Sequence, residues 1–362
     1  MPGILKSKAA DIDSLLGEFR CRHSLLDQVY MPLQVLALDI GGANLKAVHS
    51  DGSAWLQPFQ LWKNPDGLAG ALGQLLNSFP CHDLLAVTMT GELCDCYETK
   101  RHGVHSILDA VAVAAKSRVL VWRNDGQFVD LEVARAIPLE VAAANWLALA
   151  TFVGRYVTSG PAVLIDIGST TTDLIPLLDG VPVSLGRTDP ARMKSLELVY
   201  TGVGRTPLCA ILGSEYAAEF FATMLDAYML LDKVEEDPGD TGTADGRPAT
   251  KAAAHSRIAR MWCSDGELAS ASETLNLANA VFLTQTGIIR KALRQVVRSL
   301  PRSPEYFILA GSGEFLAGDV LNCDEWRQVP RMSLSGTLGP ALSHCACAHA
   351  LAVLAREAYE HA

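Results

Sequence analysis

The chain has 362 residues, 49% hydrophobic and 19% charged, with a formal net charge of −10. That length allows two domains with full cores. The acidic balance excludes nucleic acid or an anionic membrane surface as the main partner, and no apolar run reaches the roughly 18 residues of a spanning helix, so a cytoplasmic protein is expected.

Residues 1–30 are mixed and charged, without the apolar core of a signal peptide. They read as an appended helix ahead of Met31, peripheral to activity. Residues 33–40 and 44–49 form an apolar hairpin around Gly41-Gly42, with Asp39 near the end of its first strand. Apolar residues at helical spacing predict a helix over 66–78, and 84–90 is a short strand ending at Gly91. A strand pair, 118–122 and 127–131, is joined by the turn Asn124-Asp125-Gly126. The Ala-rich stretch 138–156 predicts one long helix leading into the second half. There the scheme repeats: 162–167 and 171–177 form a hairpin, with Asp166 before the turn Gly168-Ser169-Thr170. A further strand, 181–185, follows, then a helix over 208–233. The run 235–242, rich in acid, Pro and Gly, is a loop. Helices are expected at 251–263, 267–298 and 339–359, and a strand at 306–310 runs into Gly311-Ser312-Gly313. The repetition implies two related α/β domains around one cleft, spanning 31–155 and 156–338, with 339–362 packing back on the first.

Each hairpin puts a carboxylate where burial is costly without a cation or donors. Asp39 and Asp166 are therefore read as handling a metal or phosphate. Gly41, Gly42 and Gly168 let backbone N–H groups approach phosphate oxygens, and Asn44, Ser169, Thr170 and Thr171 add side-chain groups. Lys46, on the returning strand, either reaches a phosphate as a point charge or faces solvent. Asp173 completes a metal shell or caps its turn. Glu92, Asp95 and Lys100 follow the 84–90 strand at an end where α/β proteins bind ligands; the alternative is a solvated charged loop. Arg187, Asp189 and Arg205, with Thr201 in a glycine-containing segment, suit a clamp on anionic groups; the alternative is an internal Arg187–Asp189 ion pair. Asn145 faces the cleft, while Trp146 suits the core. Cys94/Cys96 and Cys345/Cys347 are C-x-C pairs. On a helix such thiols point ~200° apart, so packing is favoured over zinc. His102, His105, His344 and His349 lack metal-type spacing.

Asp39-Ile40-Gly41-Gly42, then 166–171, then Ala310-Gly311-Ser312-Gly313 resemble the two phosphate loops and the later adenosine loop of the actin-like ATPase superfamily. That resemblance implies two ribonuclease H-like α/β domains around a central cleft, an architecture shared by the hydantoinase/oxoprolinase group. Residues 38–46, 91–104, 142–147, 165–176, 186–207 and 310–316 look like a narrower family tied to tetrahydromethanopterin-linked one-carbon metabolism, with members in methanofuran biosynthesis. The resemblance spans 31–355. It implies a transferase that joins an aminomethylfuran-methyl diphosphate to the phenol of a tyramine- or tyrosine-derived acceptor and releases pyrophosphate. It further implies Mg²⁺ held by Asp39, Asp166 and Asp173, with Glu92 or Asp95 handling the phenol proton. The partners implied are small molecules, and a homodimer is compatible with them. Asn44 stands where many nucleotide-binding relatives have a hydroxyl residue. Two other readings stand beside this one. An ATP-dependent kinase or hydantoinase/oxoprolinase-type ATPase would bind nucleotide at Gly311 and Gly313. A non-catalytic nucleotide-binding assembly protein would bind phosphate without turnover.

Overall fold

The computed structural model describes residues 33–360; the extension expected at 1–30 lies outside them. Strands β1 (Val35–Ile40), β2 (Asn44–His49), β3 (Ala54–Pro58), β4 (Leu84–Met89), β5 (Arg118–Trp122) and β6 (Phe128–Asp130) form one sheet in the order β3-β2-β1-β4-β5-β6. Strands β7 (Pro161–Ile167), β8 (Thr172–Leu178), β9 (Val181–Pro182), β10 (Leu198–Val199), β11 (Tyr306–Ala310) and β12 (Arg331–Ser333) form the second. Its order is β10-β8-β7-β11-β12, with β9 also on β8. In both sheets a hairpin lies on one side of the first strand and a parallel neighbour on the other. This doubled α/β layout matches the two α/β domains expected from the sequence.

The central strands are apolar because both their faces are covered. All of β1 and β4 is buried. Parallel neighbours need a crossover, and helices supply it. Leu68–Asn77 lies between β3 and β4, Lys100–Ala114 between β4 and β5, and the long Ala271–Val297 helix between β10 and β11. Leu72, Leu75, Ile107 and Leu108 fill one face of the first sheet. Its other face is filled by the helix Ala346–Glu360, through Leu351, Ala352 and Ala355 against Val35, Ala37, Leu84 and Ala86.

Several elements differ from the sequence reading. The helix expected over 138–156 is broken: Pro138–Val141 and Asn145–Val153 are separate, and Ala143 between them has φ +49°. Ala142 makes a bridge to Met89 there, so pairing at the end of β4 competes with the helix and wins. Only Met224–Leu230 and a turn at Leu208–Ala210 are helical within 208–233, because Pro207 and Thr223 pair as a bridge around the intervening loop. The segment 91–104, not assigned an element from the sequence, becomes helical at Lys100, where the Thr99 hydroxyl caps His102 N–H at 3.1 Å. A short helix, Asp189–Ser195, opens with Pro190 in its first turn. The strand 181–185 shortens to Val181–Pro182.

The end of the helix Asn145–Val153 meets the β8–β9 turn by a close backbone approach. A Cβ at Gly154 would sit 1.8 Å from Gly180 O, whereas one at Gly73, within the Leu68–Asn77 helix, would meet nothing within 4 Å. Gly154→Ala should lower stability by about 1–3 kcal/mol through overpacking. Gly73→Ala should raise it by ~0.5–1 kcal/mol through helix propensity. Urea unfolding of both variants checks the pair, and equal effects would contradict the close approach.

Candidate active site

The two hairpins place their acids in the same register position. Asp39 on β1 lies opposite Lys46 on β2, and Asp166 on β7 lies opposite Asp173 on β8. The equivalent cross-strand site thus carries a cation in one half and an anion in the other. Each turn is closed by its own glycine: Gly41 N–H donates to Asn44 O at 3.0 Å, and Gly168 N–H to Thr171 O at 2.9 Å.

The charges interlock across the halves. Asp39 is buried and its Oδ1 has no hydrogen-bond partner among the described residues. Burial raises its carboxyl above the usual range, while Lys46 and a hydrogen bond from Asn145 oppose that rise. Burial would depress the Lys46 ammonium, but Asp39, with Asp166 and the Cys345 and Cys347 side chains, holds it above its ordinary value. Asp166 is crowded by protein on most sides yet keeps some contact with solvent. Burial, then the charge of Asp173, pushes it up to about 7 despite Lys46. Burial also raises Asp173, against the pull of Arg192, whose Nη2 lies 2.7 Å away.

Arg192 itself is 1% exposed, and its guanidinium carbon lies 4.0 Å from the Trp146 ring centroid. The break at Ala143 starts a new helix at Asn145. Asn145 Oδ1 accepts Trp146 N–H at 2.8 Å, which leaves its amide nitrogen to donate to Cys347 Sγ at 3.7 Å. A strained backbone at such a point is common where a side chain must be aimed. Consecutive residues thus serve the two hairpins: Asn145 steadies Asp39, and Trp146 backs the partner of Asp173.

A second cluster joins the halves beside the first. Glu92 is 1% exposed; its Oε1 lies 3.2 Å from Lys100 Nζ, which lies 3.1 Å from Asp189. Glu92 Oε2 has no partner among the described residues. Burial raises the Glu92 carboxyl, and Lys100 moderates this. Asp95, by contrast, is exposed. A Cβ at Gly103 would lie 2.0 Å from Glu92 O, so Gly103 allows the helix to press against this segment.

Other sequence candidates fall differently. Asp173 is engaged by a cation of its own half, Arg192, and among the described residues no group of three ligand-type side chains is placed to hold an ion. Asp189 pairs with Lys100 rather than Arg187, which reaches Asn124 O at 3.5 Å. Thr201 is a buried brace: its hydroxyl accepts Gln285 Nε2 at 2.7 Å, and its carbonyl accepts the Thr172 hydroxyl at 2.7 Å. Arg205 is exposed and lies over the Trp62 ring, 5.0 Å from its centroid.

Ser169 is exposed at the second turn, Thr170 and Thr171 are half-buried, and Asn44 and Gly42 line the first. Gly311 (φ +84°) and Gly313 pack on the second hairpin. Their Cβ atoms would meet Ile167 O at 2.3 Å and Ile167 Cγ2 at 2.5 Å, while Ser312 points out. Cys345 and Cys347, read as packing residues, are indeed buried but border Lys46. Sequence reasoning missed Arg192 and Trp62. Arg192 lay within the 186–207 run, whereas nothing local marked Trp62. Surface hollows of about 340 and 430 Å³ lie elsewhere and include no residue of either turn.

Two acid-bearing hairpins in electrostatic contact, each on its own α/β sheet, thus make up the site. Residues 83–349 match the hydantoinase/oxoprolinase family, and the chain belongs to that family. It is 31% identical over 335 residues to a (4-{4-[2-(gamma-L-glutamylamino)ethyl]phenoxymethyl}furan-2-yl)methanamine synthase of Methanocaldococcus jannaschii, covering 90% of this chain and 98% of that one. A synthase of the same name from Methanococcus vannielii is 33% identical over 168 residues, 44% of this chain and 74% of its own. Solved structures with a related outline include nucleotide-free acetone carboxylase (TM-score 0.48, 11% identity, 89% of this chain and 70% of that one). An archaeal actin homolog is another (TM-score 0.44, 15% identity, 92% and 100%).

The raised Asp166 carboxyl has a consequence for stability. A carboxyl that binds its proton more tightly when folded stabilises the fold fully below its unfolded value, near 3.8, and loses that contribution as pH rises through about 7. Asp166→Asn, which carries no such charge, should therefore melt about 1–2 °C or more above the parent at pH 8 in metal-free buffer, the shift that ~1 kcal/mol or more gives a chain of this length. The gain should shrink as pH falls from 7 toward 4. Melting curves across that range check the sign, and a gain that grows toward low pH would contradict it.

Proposed function

We propose that the protein is a transferase that builds an aryl ether of a furfuryl group in methanofuran-type cofactor synthesis. It would join an aminomethylfuran-methyl diphosphate to the phenol of a tyramine- or tyrosine-derived acceptor and release pyrophosphate. The observation that carries this reading is the facing pair of hairpins, with Lys46 between Asp39 and Asp166, in a chain aligned nearly end to end with a synthase. The product named for that synthase contains a phenoxymethyl link between a phenol oxygen and a furan-bearing carbon. Forming such a bond needs a leaving group on the carbon, and a cleft built for phosphate oxygens suits a diphosphate.

The chemistry divides among the residues. The bond from the furfuryl carbon to the diphosphate oxygen breaks, and its electron pair departs with pyrophosphate. The electron-rich ring stabilises the cationic carbon. Lys46 and the N–H groups at the tips of the turns, Gly42, Ser169 and Thr170, take up the growing negative charge. The phenol oxygen then forms the new bond to the same carbon and gives up its proton to Glu92, from which it passes to solvent. A buried carboxyl held above its usual range is a suitable proton acceptor, and Glu92 keeps one oxygen unpartnered.

Mg²⁺ suits this site as a substrate-borne ion. The donors are hard carboxylate oxygens, Asp39 Oδ1 lacks a partner, and Asp166 is crowded by negative charge. Mg²⁺ is commonly held by one or two carboxylates together with water and phosphate oxygens. Asp39 and Asp166 would hold it, and when bound it neutralises charge on the departing pyrophosphate. An ATPase reading asks Gly311 and Gly313 to serve an adenosine. Their close packing on Ile167 and Asp166 accounts for both glycines without one.

Purified protein with Mg²⁺ and the furfuryl diphosphate should release pyrophosphate only when a phenolic acceptor is added, and without ATP. Phosphate released from ATP alone, uncoupled to the furan substrate, would establish the ATPase reading instead. Asp39→Asn and Asp166→Asn should each lower turnover by ~10³-fold or more, the scale of losing electrostatic stabilisation, while circular dichroism shows the fold retained. Glu92→Gln should cost ~10²-fold or more in kcat. Asp95→Asn, whose side chain is exposed, should stay close to the parent; the reverse ranking would move the proton acceptor to Asp95.

A further inference from the structure

Trp62 and Arg205 meet across the cleft above the two turns. Leu61, next to Trp62, donates its backbone N–H to Gly42 O at 2.9 Å. Arg205 donates its own backbone N–H to Ser169 O at 2.8 Å. Each residue is therefore anchored to the tip of one hairpin, and the guanidinium lies 5.0 Å from the indole centroid. Trp62 is half-buried and Arg205 exposed. Among the described residues Arg205 makes no ion pair, in contrast to Arg192, whose guanidinium is locked between Asp173 and Trp146. The loop behind Arg205 is rigidly seated. Gly202 and Gly204 press on the second turn so closely that Cβ atoms there would lie 2.4 Å from Gly168 O and 2.2 Å from Ser169 Oγ. Arg205 thus has a fixed backbone beside the phosphate-binding tip and a side chain held only by an aromatic face.

We propose that Trp62 is a substrate-contacting residue whose indole face holds the furfuryl carbon, and that Arg205 leaves this face to grip the diphosphate. The inference rests on the transferase reading and names a residue that reading does not use. A guanidinium gains more from a bidentate phosphate contact than from a cation–π contact at an exposed site. An incoming diphosphate at Ser169 therefore draws Arg205 off the ring. Indole is the best of the aromatic faces for a cation, and the furfuryl carbon becomes cationic as its bond to the diphosphate lengthens. The face that holds a guanidinium at rest then holds the developing cation and keeps water from it. Binding the anion uncovers the platform, so the reactive carbon meets it only when the leaving group is already gripped.

Two measurements test this. Inorganic pyrophosphate with Mg²⁺ should change the tryptophan emission of the parent protein, and the change should be absent in Trp62→Phe and reduced in Arg205→Lys, with binding followed in parallel by calorimetry. In turnover, Trp62→Leu, which keeps apolar bulk but no π face, should lose ~10-fold or more in kcat with a smaller change in KM. Trp62→Phe should recover most of that loss. Pyrophosphate binding with an unchanged emission difference in Trp62→Phe, or Trp62→Leu turning over at the parental rate, would overturn this inference and leave the transferase reading standing. No ether from the parent with any phenolic acceptor would overturn both.

Discussion

The Lys46 ammonium sets the terms for the cleft. It faces Asp39 across β1 and β2 and lies within electrostatic reach of Asp166 on the other sheet. Three acid side chains in a space screened from water could not all stay charged without such a partner. Arg192 performs the same service for Asp173. Two cations against Asp39, Asp166 and Asp173 leave one negative charge unmatched, and the strain falls on Asp166, whose carboxyl is pushed up to about 7. The protein alone does not balance this site. Without a further cation, the proton that Asp166 keeps up to about pH 7 offsets the surplus.

The segment 186–207 organises the seam between the halves. Asp189 bridges to Lys100 and thereby to Glu92, Arg192 backs Asp173 and stacks on Trp146, and Arg205 reaches Trp62. Buried Glu197 holds the segment itself, accepting Gly186 N–H at 2.9 Å and the Ser195 hydroxyl at 2.8 Å. Asp189, Arg187 and Arg205 reach into the opposing half, while Arg192 and Glu197 serve their own. Thr201, buried among Thr172, Thr206 and Gln285, fixes the end of the segment and leaves the Arg205 side chain exposed.

The hairpins were legible in the sequence because apolar strands interrupted by glycine turns are a local pattern, and Asp39 and Asp166 stood out as acids inside apolar strands. The strand at 306–310 and the long helix near 271–297 were readable for the same reason. What escaped was decided at a distance. Nothing in an alanine-rich run marks Ala143 as the place where β4 captures Ala142 and restarts the helix at Asn145. The helix beginning at Lys100 opens with two basic residues, a histidine and a glycine, which mask its apolar face, although Thr99 was a readable cap. The short edge strand β3 exposes Trp55 and Leu56, so it lacks the alternation that marks a half-buried strand. Trp62 and Arg205 are separated by most of the first half and a hairpin, and only the folded chain brings them together.

The return of the helix Ala346–Glu360 to the first sheet sets an order of events during synthesis. Val35, Ala37, Leu84 and Ala86 emerge early, yet the side chains that cover them, Leu351, Ala352 and Ala355, are made more than two hundred residues later. Cys345 and Cys347, which border Lys46, arrive with the same helix. The first sheet must therefore leave the ribosome with one apolar face bare, and the cleft cannot take its working form while the second half is still being translated. The segment that seals the oldest part of the fold is also the one that finishes the wall behind Lys46, so a chain stalled before this helix presents a sticky intermediate with an unfinished cleft.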